Sequence, residues 1–138
     1  MGAANATALA GPLVRAARAV VATVEQVLKP EGLTFDQWLV LDTLATEGGL
    51  AMAELAERTT TPGPTLTRLV DRLVSTALLY REVDPADRRK VLVHLSRRGQ
   101  SEHRRIAPQV ATAERELLTG LRASTGLLES LRDLADGR

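Results

Sequence analysis

The stretch from residue 61 to residue 95 constrains the fold most, because its apolar residues change their period along the way. The first part reads "TPGPTLTRLVDRLVS", and its apolar side chains recur at helical spacing, at Leu66, Leu69, Val70, Leu73 and Val74. Residues 79–83 and 91–95 then have the length and apolar content of strands, and an Asp-Pro-Ala-Asp turn joins them. The stretch therefore predicts one amphipathic helix followed directly by a β-hairpin.

Helical spacing of apolar residues also continues on both sides of this stretch. It predicts a helix at residues 9–28, a second one after Thr34 as its N-cap, a short third one at residues 51–59, and two more that run from Ser96 until Gly126 and over residues 127–134. Gly48 and Gly49 are the expected end of the second helix. Aromatic residues make up only 2% of a chain that is 44% hydrophobic, so the core is built from Leu, Val and Ala. We expect a mostly α fold.

Several classes of chemistry lack the residues that they need. The chain has no cysteine, which excludes a disulfide, a thiolate zinc site and a thiol redox switch. His94 and His103 are the only histidines, and no carboxylate pattern around them is typical of a metal site. No catalytic triad order, phosphate-binding glycine loop or paired catalytic carboxylates can be recognised. The sequence thus predicts a protein that is not an enzyme and needs no cofactor.

The first predicted helix is too polar to span a membrane. Arg15, Arg18 and Glu25 interrupt its apolar residues, and no run in the chain approaches the roughly 18 apolar residues of a membrane span. No cationic segment of the kind that begins a signal peptide precedes it. We therefore expect a cytoplasmic protein without a membrane partner.

The net charge of +1 hides an uneven distribution along the chain. Residues 62–105 hold ten Arg or Lys and five Asp or Glu, a local charge of +5, whereas the remaining residues hold eight and twelve, a charge of −4. Such an asymmetry is typical of a face that binds a polyanion such as DNA. The alternative is an ordinary solvated surface.

The order of three helices, a further amphipathic helix and a basic hairpin is that of a helix-turn-helix followed by a wing. A recognition helix has to bury one side while its other side and its first residues enter a major groove roughly 12 Å wide. The expected DNA-contacting residues of this helix and its first turn are Thr61, Gly63, Thr65, Thr67, Arg68 and Arg72. Arg68 can bond a guanine edge with two donors. The alternative for Arg68 and Arg72 is an ion pair with Asp71, or plain exposure to solvent.

The residues in this region resemble a known family. The segment "LAERTTTPGPTLTRLVDRLVSTALLYREVDPADRRKVLVHLSRRG" is similar to the winged helix-turn-helix core of the MarR family of bacterial transcription regulators. Its most specific pieces are "TRLVDRL", "DPADRR" and "LSRRG", in that order. The resemblance covers nearly the whole chain, since the flanking helices match as well. It implies a winged DNA-binding lobe at residues 34–98 and dimerisation helices at residues 1–33 and 99–138.

The resemblance also implies an activity. A homodimer would bind double-stranded DNA at a pseudo-palindromic operator, and a small-molecule effector bound between the lobes would relieve repression. In the wing, Asp87 and Arg89 match a family pair in which the Asp braces an Arg that inserts into the minor groove. Arg88 and Lys90 are expected to contact phosphates.

Two features depart from the family pattern. Ala77 stands where the family usually has Gly, and if that position needs a positive φ, an alanine costs about 1 to 2 kcal/mol. Pro62 and Pro64 restrict the start of the recognition helix, so its first turn and the base contacts there are open.

Two aromatic residues are candidates for an effector pocket. Phe35 and Trp38 could line it, although on a helix with Leu39, Val40 and Leu41 they also fit the core. The sequence predicts a dimeric DNA-binding transcription regulator, and more specifically a repressor. Two alternatives stay open: a winged-helix module that binds a protein or a small ligand, and a nucleic-acid binder without sequence preference.

Overall fold

The computed structural model describes residues 8–137 and is mostly helical, as the sequence predicts. Within these residues the helices are α1 (Ala10–Leu28), a 3-10 turn (Lys29–Glu31), α2 (Phe35–Glu47), α3 (Met52–Thr59), α4 (Gly63–Ser75), α5 (Arg97–Thr119) and α6 (Leu127–Ala135). The strands are β1 (Leu50–Ala51), β2 (Leu79–Val83) and β3 (Val91–Leu95). None of the described helices is long and apolar enough to cross a membrane.

The start and end of α2 are those that its sequence predicts. The Thr34 hydroxyl accepts a hydrogen bond from the Gln37 backbone at 3.2 Å, and the Gln37 side chain accepts one from the Thr34 backbone at 3.0 Å. This reciprocal capping box satisfies two N–H groups that the first helical turn would leave unpaired. At the other end, Gly48 follows the helix with a φ of 83°, a conformation that favours glycine.

The hairpin has the predicted strands, and a short third strand extends its sheet. β2 and β3 pair antiparallel, with Leu79 opposite Leu95 and Val83 opposite Val91. β1 pairs with the other side of β3, so that the strand order is β1-β3-β2. The sequence did not reveal β1, because two residues are too few to show a strand period. The prediction that residue 51 starts a helix is wrong by one residue, and the helix begins at Met52.

The larger core lies in a winged lobe made of α2 to α4 and the sheet (residues 35–95). It is built from aliphatic side chains, and the described members that are no more than 3% exposed are Val40, Leu41, Leu44, Leu55, Leu66, Val70, Leu73, Leu79 and Val93. Three helices and one face of the sheet each contribute to it. The winged lobe thus closes an apolar core without help from another chain.

A smaller core joins α1 and α5 to the lobe. It consists of the buried side chains Val24, Leu28, Trp38, Ile106 and Val110. Beyond it, the helical ends (residues 9–20 and 117–135) leave apolar side chains in solvent, namely Leu9, Val14, Val20, Leu121, Leu128, Leu131 and Leu134, each between 38% and 58% exposed. The expected continuation of α5 until Gly126 is wrong, because the helix ends at Thr119 before Gly120, a poor helix former.

Candidate DNA-binding surface

Helix α4 buries one side in the winged lobe and leaves the other side to solvent. The buried side carries Leu66, Val70 and Leu73, none of them more than 1% exposed. The opposite side carries Arg68 and Arg72, both exposed. Because the 3.6-residue period separates the two sides, the apolar stripe fixes the direction in which the arginines face.

Asp71, the carboxylate between these two arginines in the sequence, does not form an ion pair with either of them. Within residues 8–137, neither Arg68 nor Arg72 takes part in an ion pair. Asp71 lies between them in sequence, but its Oδ1 contacts Nη2 of Arg81 on β2 at 2.5 Å. Both guanidinium groups of α4 therefore remain accessible to an external anion.

The turn between α3 and α4 is tight. The Thr61 backbone donates a hydrogen bond to the Ala56 carbonyl at 3.0 Å, and Thr60 has a φ of 53°. A β-branched residue is uncommon in this left-handed region, and here it lets the chain reverse directly after α3. The turn therefore sets the direction of α4 relative to α3.

The two prolines of the first turn of α4 fit its geometry. Pro62 is the N-cap, Gly63 is the first helical residue, and Pro64 follows where a missing N–H costs little. No side chain among the described residues caps this end, so the backbone N–H of Gly63 and of Thr65 has no side-chain acceptor there. Thr67 is exposed, and its hydroxyl donates to the Gly63 carbonyl at 3.0 Å. Such a helix start is compatible with a phosphate.

Ala77 ends the recognition helix in the conformation that glycine prefers. Its φ is 63°. The Leu78 N–H donates to the Leu73 carbonyl at 2.9 Å, and the Ala77 N–H donates to the Val74 carbonyl at 3.0 Å. This is a Schellman motif, which requires a left-handed residue at the position of Ala77. The departure from the family pattern therefore places a strained alanine at this point of the chain.

The "LSRRG" piece fastens the start of α5 to the end of α4. The Ser96 hydroxyl donates to the Ala77 carbonyl at 2.6 Å and accepts from the Gly99 N–H at 3.0 Å. A side chain on Gly99 would place its Cβ 2.1 Å from the Leu78 carbonyl oxygen. Gly99 is thus required by a close backbone approach, and the motif fastens the start of α5 to the turn that follows α4.

The tip of the wing is a turn ordered by Asp84. Its backbone N–H donates to the Lys90 carbonyl at 2.9 Å, and its Oδ1 accepts from the Ala86 N–H at 2.9 Å. The Lys90 N–H in turn donates to the Asp87 carbonyl at 2.9 Å. These bonds hold residues 84–90 in a defined loop.

Within this loop Asp87 contacts Arg89. Oδ1 of Asp87 accepts from the Arg89 backbone at 3.1 Å and from Nε of its guanidinium at 3.3 Å. The backbone bond and then the guanidinium bond hold the pKa of Asp87 below its ordinary value. The Arg89 side chain is 91% exposed. Arg88 and Lys90 are exposed as well, and neither is in an ion pair with a described residue.

The predicted pocket residues lie in and beside the smaller core. Trp38 is 5% exposed, and its ring stacks on His103 at a centroid distance of 5.0 Å. Nε2 of His103 is 2.8 Å from Oδ1 of Asp42. Phe35 is half-buried against the same core. Nearby on α5, burial and then the charge of Asp42 raise the pKa of Glu114.

A cavity of about 390 Å³ lies where α2, β3 and α5 meet, next to His103. Its polar lining includes Tyr80, His94, Gln100, His103 and Arg104. The His94 ring stacks on Tyr80 at 5.2 Å, while its buried Nε2 lies 3.4 Å from Oε2 of Glu82 without a hydrogen bond to any described residue. No group of three potential metal ligands occurs in the described part of the chain.

Comparison with known proteins places this surface in a family. The sequence pattern of the MarR family matches residues 31–90. The homoprotocatechuate degradative operon repressor of Escherichia coli is 28% identical over 131 residues, which cover 91% of this chain and 88% of the repressor. The helix-turn-helix transcriptional regulator YwoH of Bacillus subtilis is 30% identical over 108 residues and 78% of each chain.

A solved structure agrees over almost the whole fold. The Bordetella bronchiseptica protein BpsR, whose DNA binding is regulated by 6-hydroxynicotinic acid, superposes with a TM-score of 0.82 and 28% identity over 94% of both chains. The winged lobe, its exposed arginines and these similarities lead to one conclusion. The chain belongs to the MarR family of winged helix-turn-helix transcription regulators.

Proposed function

We propose that this regulator binds a pseudo-palindromic operator as a homodimer and represses transcription until a small molecule releases it. The observation that carries the proposal is the state of the α4 arginines. Arg68 and Arg72 are exposed and make no ion pair in residues 8–137, although Asp71 lies between them. The major groove of DNA admits an α-helix, so an exposed guanidinium of α4 without an ion pair can reach a base edge or a phosphate there. Such a regulator acts in the cytoplasm, beside the chromosome.

Each predicted contact has a distinct task. Arg68 bonds a base edge, and Arg72 supports it from the next turn of α4. The residues around the start of α4 position the helix against the phosphate backbone, namely Thr61, Gly63, Thr65 and Thr67. Sequence discrimination therefore depends mainly on one residue of the helix.

The wing adds a second set of contacts. Arg89 enters the minor groove, where a narrow groove concentrates negative potential. Its contact with Asp87 limits the side-chain freedom that would otherwise be lost on insertion. Arg88 and Lys90 contact phosphates, which strengthens binding without specifying sequence.

The helical ends are the proposed dimer interface. Seven large apolar side chains there are at least 38% exposed among the described residues of one chain. An apolar patch of this kind commonly marks a protein interface. Two-fold symmetry of the dimer would then match two half-sites one helical turn apart.

Release by a small molecule is proposed on two grounds. BpsR, with which the fold agrees, responds to 6-hydroxynicotinic acid, and the E. coli relative is named as a repressor. In this chain the cavity beside His103 lies between the winged lobe and α5. A ligand there, or against Phe35 and Trp38, would change how the winged lobe sits on the dimer. The role of these two aromatic residues stays a prediction.

Capture of genomic DNA fragments by the purified protein tests the proposal. Sequencing of the bound fragments should reveal one two-fold symmetric motif, and binding to it should weaken steeply with salt. Affinity for a scrambled duplex should be lower by roughly 1,000-fold or more at the same salt. Equal affinity for both duplexes would instead support a binder without sequence preference, and no DNA binding would support a protein- or ligand-binding module.

The role of Arg68 has its own test. Arg68→Ala should cost about 1 to 3 kcal/mol of operator affinity and relax the preference at one position in each half-site. The same loss for every operator variant would show that Arg68 contacts the backbone instead of a base.

A further inference from the structure

The acidic residue on α4 is unexpected on a surface that faces DNA. Asp71 is the only carboxylate in the helix, and it is exposed. At about 100° per residue, it lies about 60° around the helix from Arg68, on the solvent side. A free carboxylate at this place would repel the phosphates that surround the groove.

Asp71 is held by a residue of the wing. Nη2 of Arg81 lies 2.5 Å from its Oδ1. Strand alternation puts Arg81 on the same face of β2 as Leu79, which packs in the core with α4, while Tyr80 and Glu82 lie on the face of His94. The ion pair therefore connects the recognition helix to the wing outside the shared core.

The pair has little effect on folding but a direct effect on charge. Its side chains are 36% and 59% exposed, and pairs in water contribute little to stability. When the pair forms, Asp71 loses most of its repulsion for phosphate. At the same time Arg81 is kept from binding any phosphate within reach, whatever the sequence.

We propose that Asp71 and Arg81 form a positioning pair that sets the specificity of DNA binding. It fixes the strand that carries the wing relative to α4, and it withholds one cation per subunit from non-specific contacts. This inference rests on the proposed function, because it concerns how the same surface separates operator from other DNA. It predicts that breaking the pair lowers the ratio of operator affinity to non-specific affinity.

A double-mutant cycle tests the pair. Asp71→Asn, Arg81→Gln and the double variant are titrated with the captured operator and with a scrambled duplex at several salt concentrations. Each single variant should lower the specificity ratio by about tenfold, and the double variant should be no worse than either single one. Effects of the two substitutions that multiply would overturn the proposal, since the residues would then act independently.

The salt dependence separates positioning from a general loss of structure. Asp71→Asn frees Arg81, so the slope of log K against log salt on scrambled duplex should steepen by about 0.9 for each additional phosphate that the protein neutralises. Arg81→Gln should not steepen it. Glu57→Gln is the matched control, because it removes the same charge from an exposed position of α3. It should raise both affinities alike and leave the ratio unchanged.

The specificity ratio of the wild-type protein distinguishes failure of the proposed function from failure of the positioning pair alone. A wild-type ratio near one would overturn the proposed function and this inference with it. A high wild-type ratio that persists in both single variants would overturn the positioning pair alone. A fall in the ratio for Glu57→Gln equal to that for Asp71→Asn would also contradict it, because the loss would then follow net charge.

Discussion

The winged lobe buries its large apolar side chains, whereas the helical ends leave large apolar side chains exposed. In the winged lobe, leucines such as Leu55 and Leu66 are completely buried by side chains of the same chain. In the helical ends, Leu121, Leu128 and Leu134 are about half exposed in the described chain. Folding of one chain buries the first set of leucines, whereas the second set stays exposed and belongs to the proposed dimer interface. Folding of the lobe and assembly of the regulator should therefore be separable.

The largest expected effect is on the winged lobe. Leu55→Ala removes a fully buried side chain from between α3 and its neighbours and should lower the free energy of unfolding by about 2 to 5 kcal/mol. Urea denaturation measures it. Val83→Ala, at a 52% exposed position of the wing, is the control and should cost far less. Equal losses would mean that the lobe does not close its own core.

Substitution in the helical ends should affect association instead. Leu131→Asp should weaken the dimer by about 2 kcal/mol or more, roughly 30-fold in the dissociation constant, because it places a charge in the proposed interface. Sedimentation equilibrium measures the shift. Val83→Asp places the same charge at an exposed apolar position of the wing and should leave the dimer intact. A wild-type protein that stays monomeric at micromolar concentration would show that the exposed leucines do not serve association.

Exposed cations of the two regions should also differ in how much they contribute to operator affinity. Arg89→Ala should weaken operator binding by about 1 to 3 kcal/mol per subunit and reduce the salt slope by about one, with little change in thermal stability. Arg115→Ala removes an exposed cation from α5, outside the winged lobe. Fluorescence anisotropy should show almost no loss for it. Similar losses for both variants would mean that general charge, not the wing, determines affinity.

The smallest expected effect is a gain in stability at the end of α4. Ala77→Gly should stabilise the winged lobe by about 1 kcal/mol, because glycine adopts the positive φ of this position without strain. Ala45→Gly, in the last turn of α2, should have the opposite sign, because glycine is the poorer helix former. Thermal unfolding of the two variants measures both changes in stability, an expected gain for Ala77→Gly and an expected loss for Ala45→Gly. A loss of stability in both would show that the φ of Ala77 carries no strain.

Local pattern was enough to predict most of the winged lobe from sequence. The period of Leu66, Val70 and Leu73 indicated the orientation of α4, and the Asp-Pro-Ala-Asp turn indicated both strands of the hairpin. The Thr34 cap was also predicted, because it depends on residues three apart. Features of this kind are encoded within a few residues.

Features that depend on distant residues were not predictable in this way. Asp71 pairs with Arg81 across two elements, so the sequence offered Arg68 and Arg72 as equally good partners. The stack of Trp38 on His103 joins residues 65 positions apart, and only the crossing of α2 and α5 brings them together.

The end of α5 was missed for a local reason, because Leu121 continues the apolar period beyond the last helical residue. The DNA contacts and the effector pocket stay predictions.

A comparison of protein binding to a full operator and to a half-site tests most directly whether the regulator binds DNA as a dimer. The captured two-fold duplex and a duplex with one half scrambled are each titrated with protein, and stoichiometry is read from sedimentation of the complex. We expect two chains on the full operator and an affinity for it that exceeds half-site affinity by roughly 100-fold or more, since each half-site adds its own base contacts. Equal affinity for both duplexes, with one chain bound to each, would contradict the dimeric regulator.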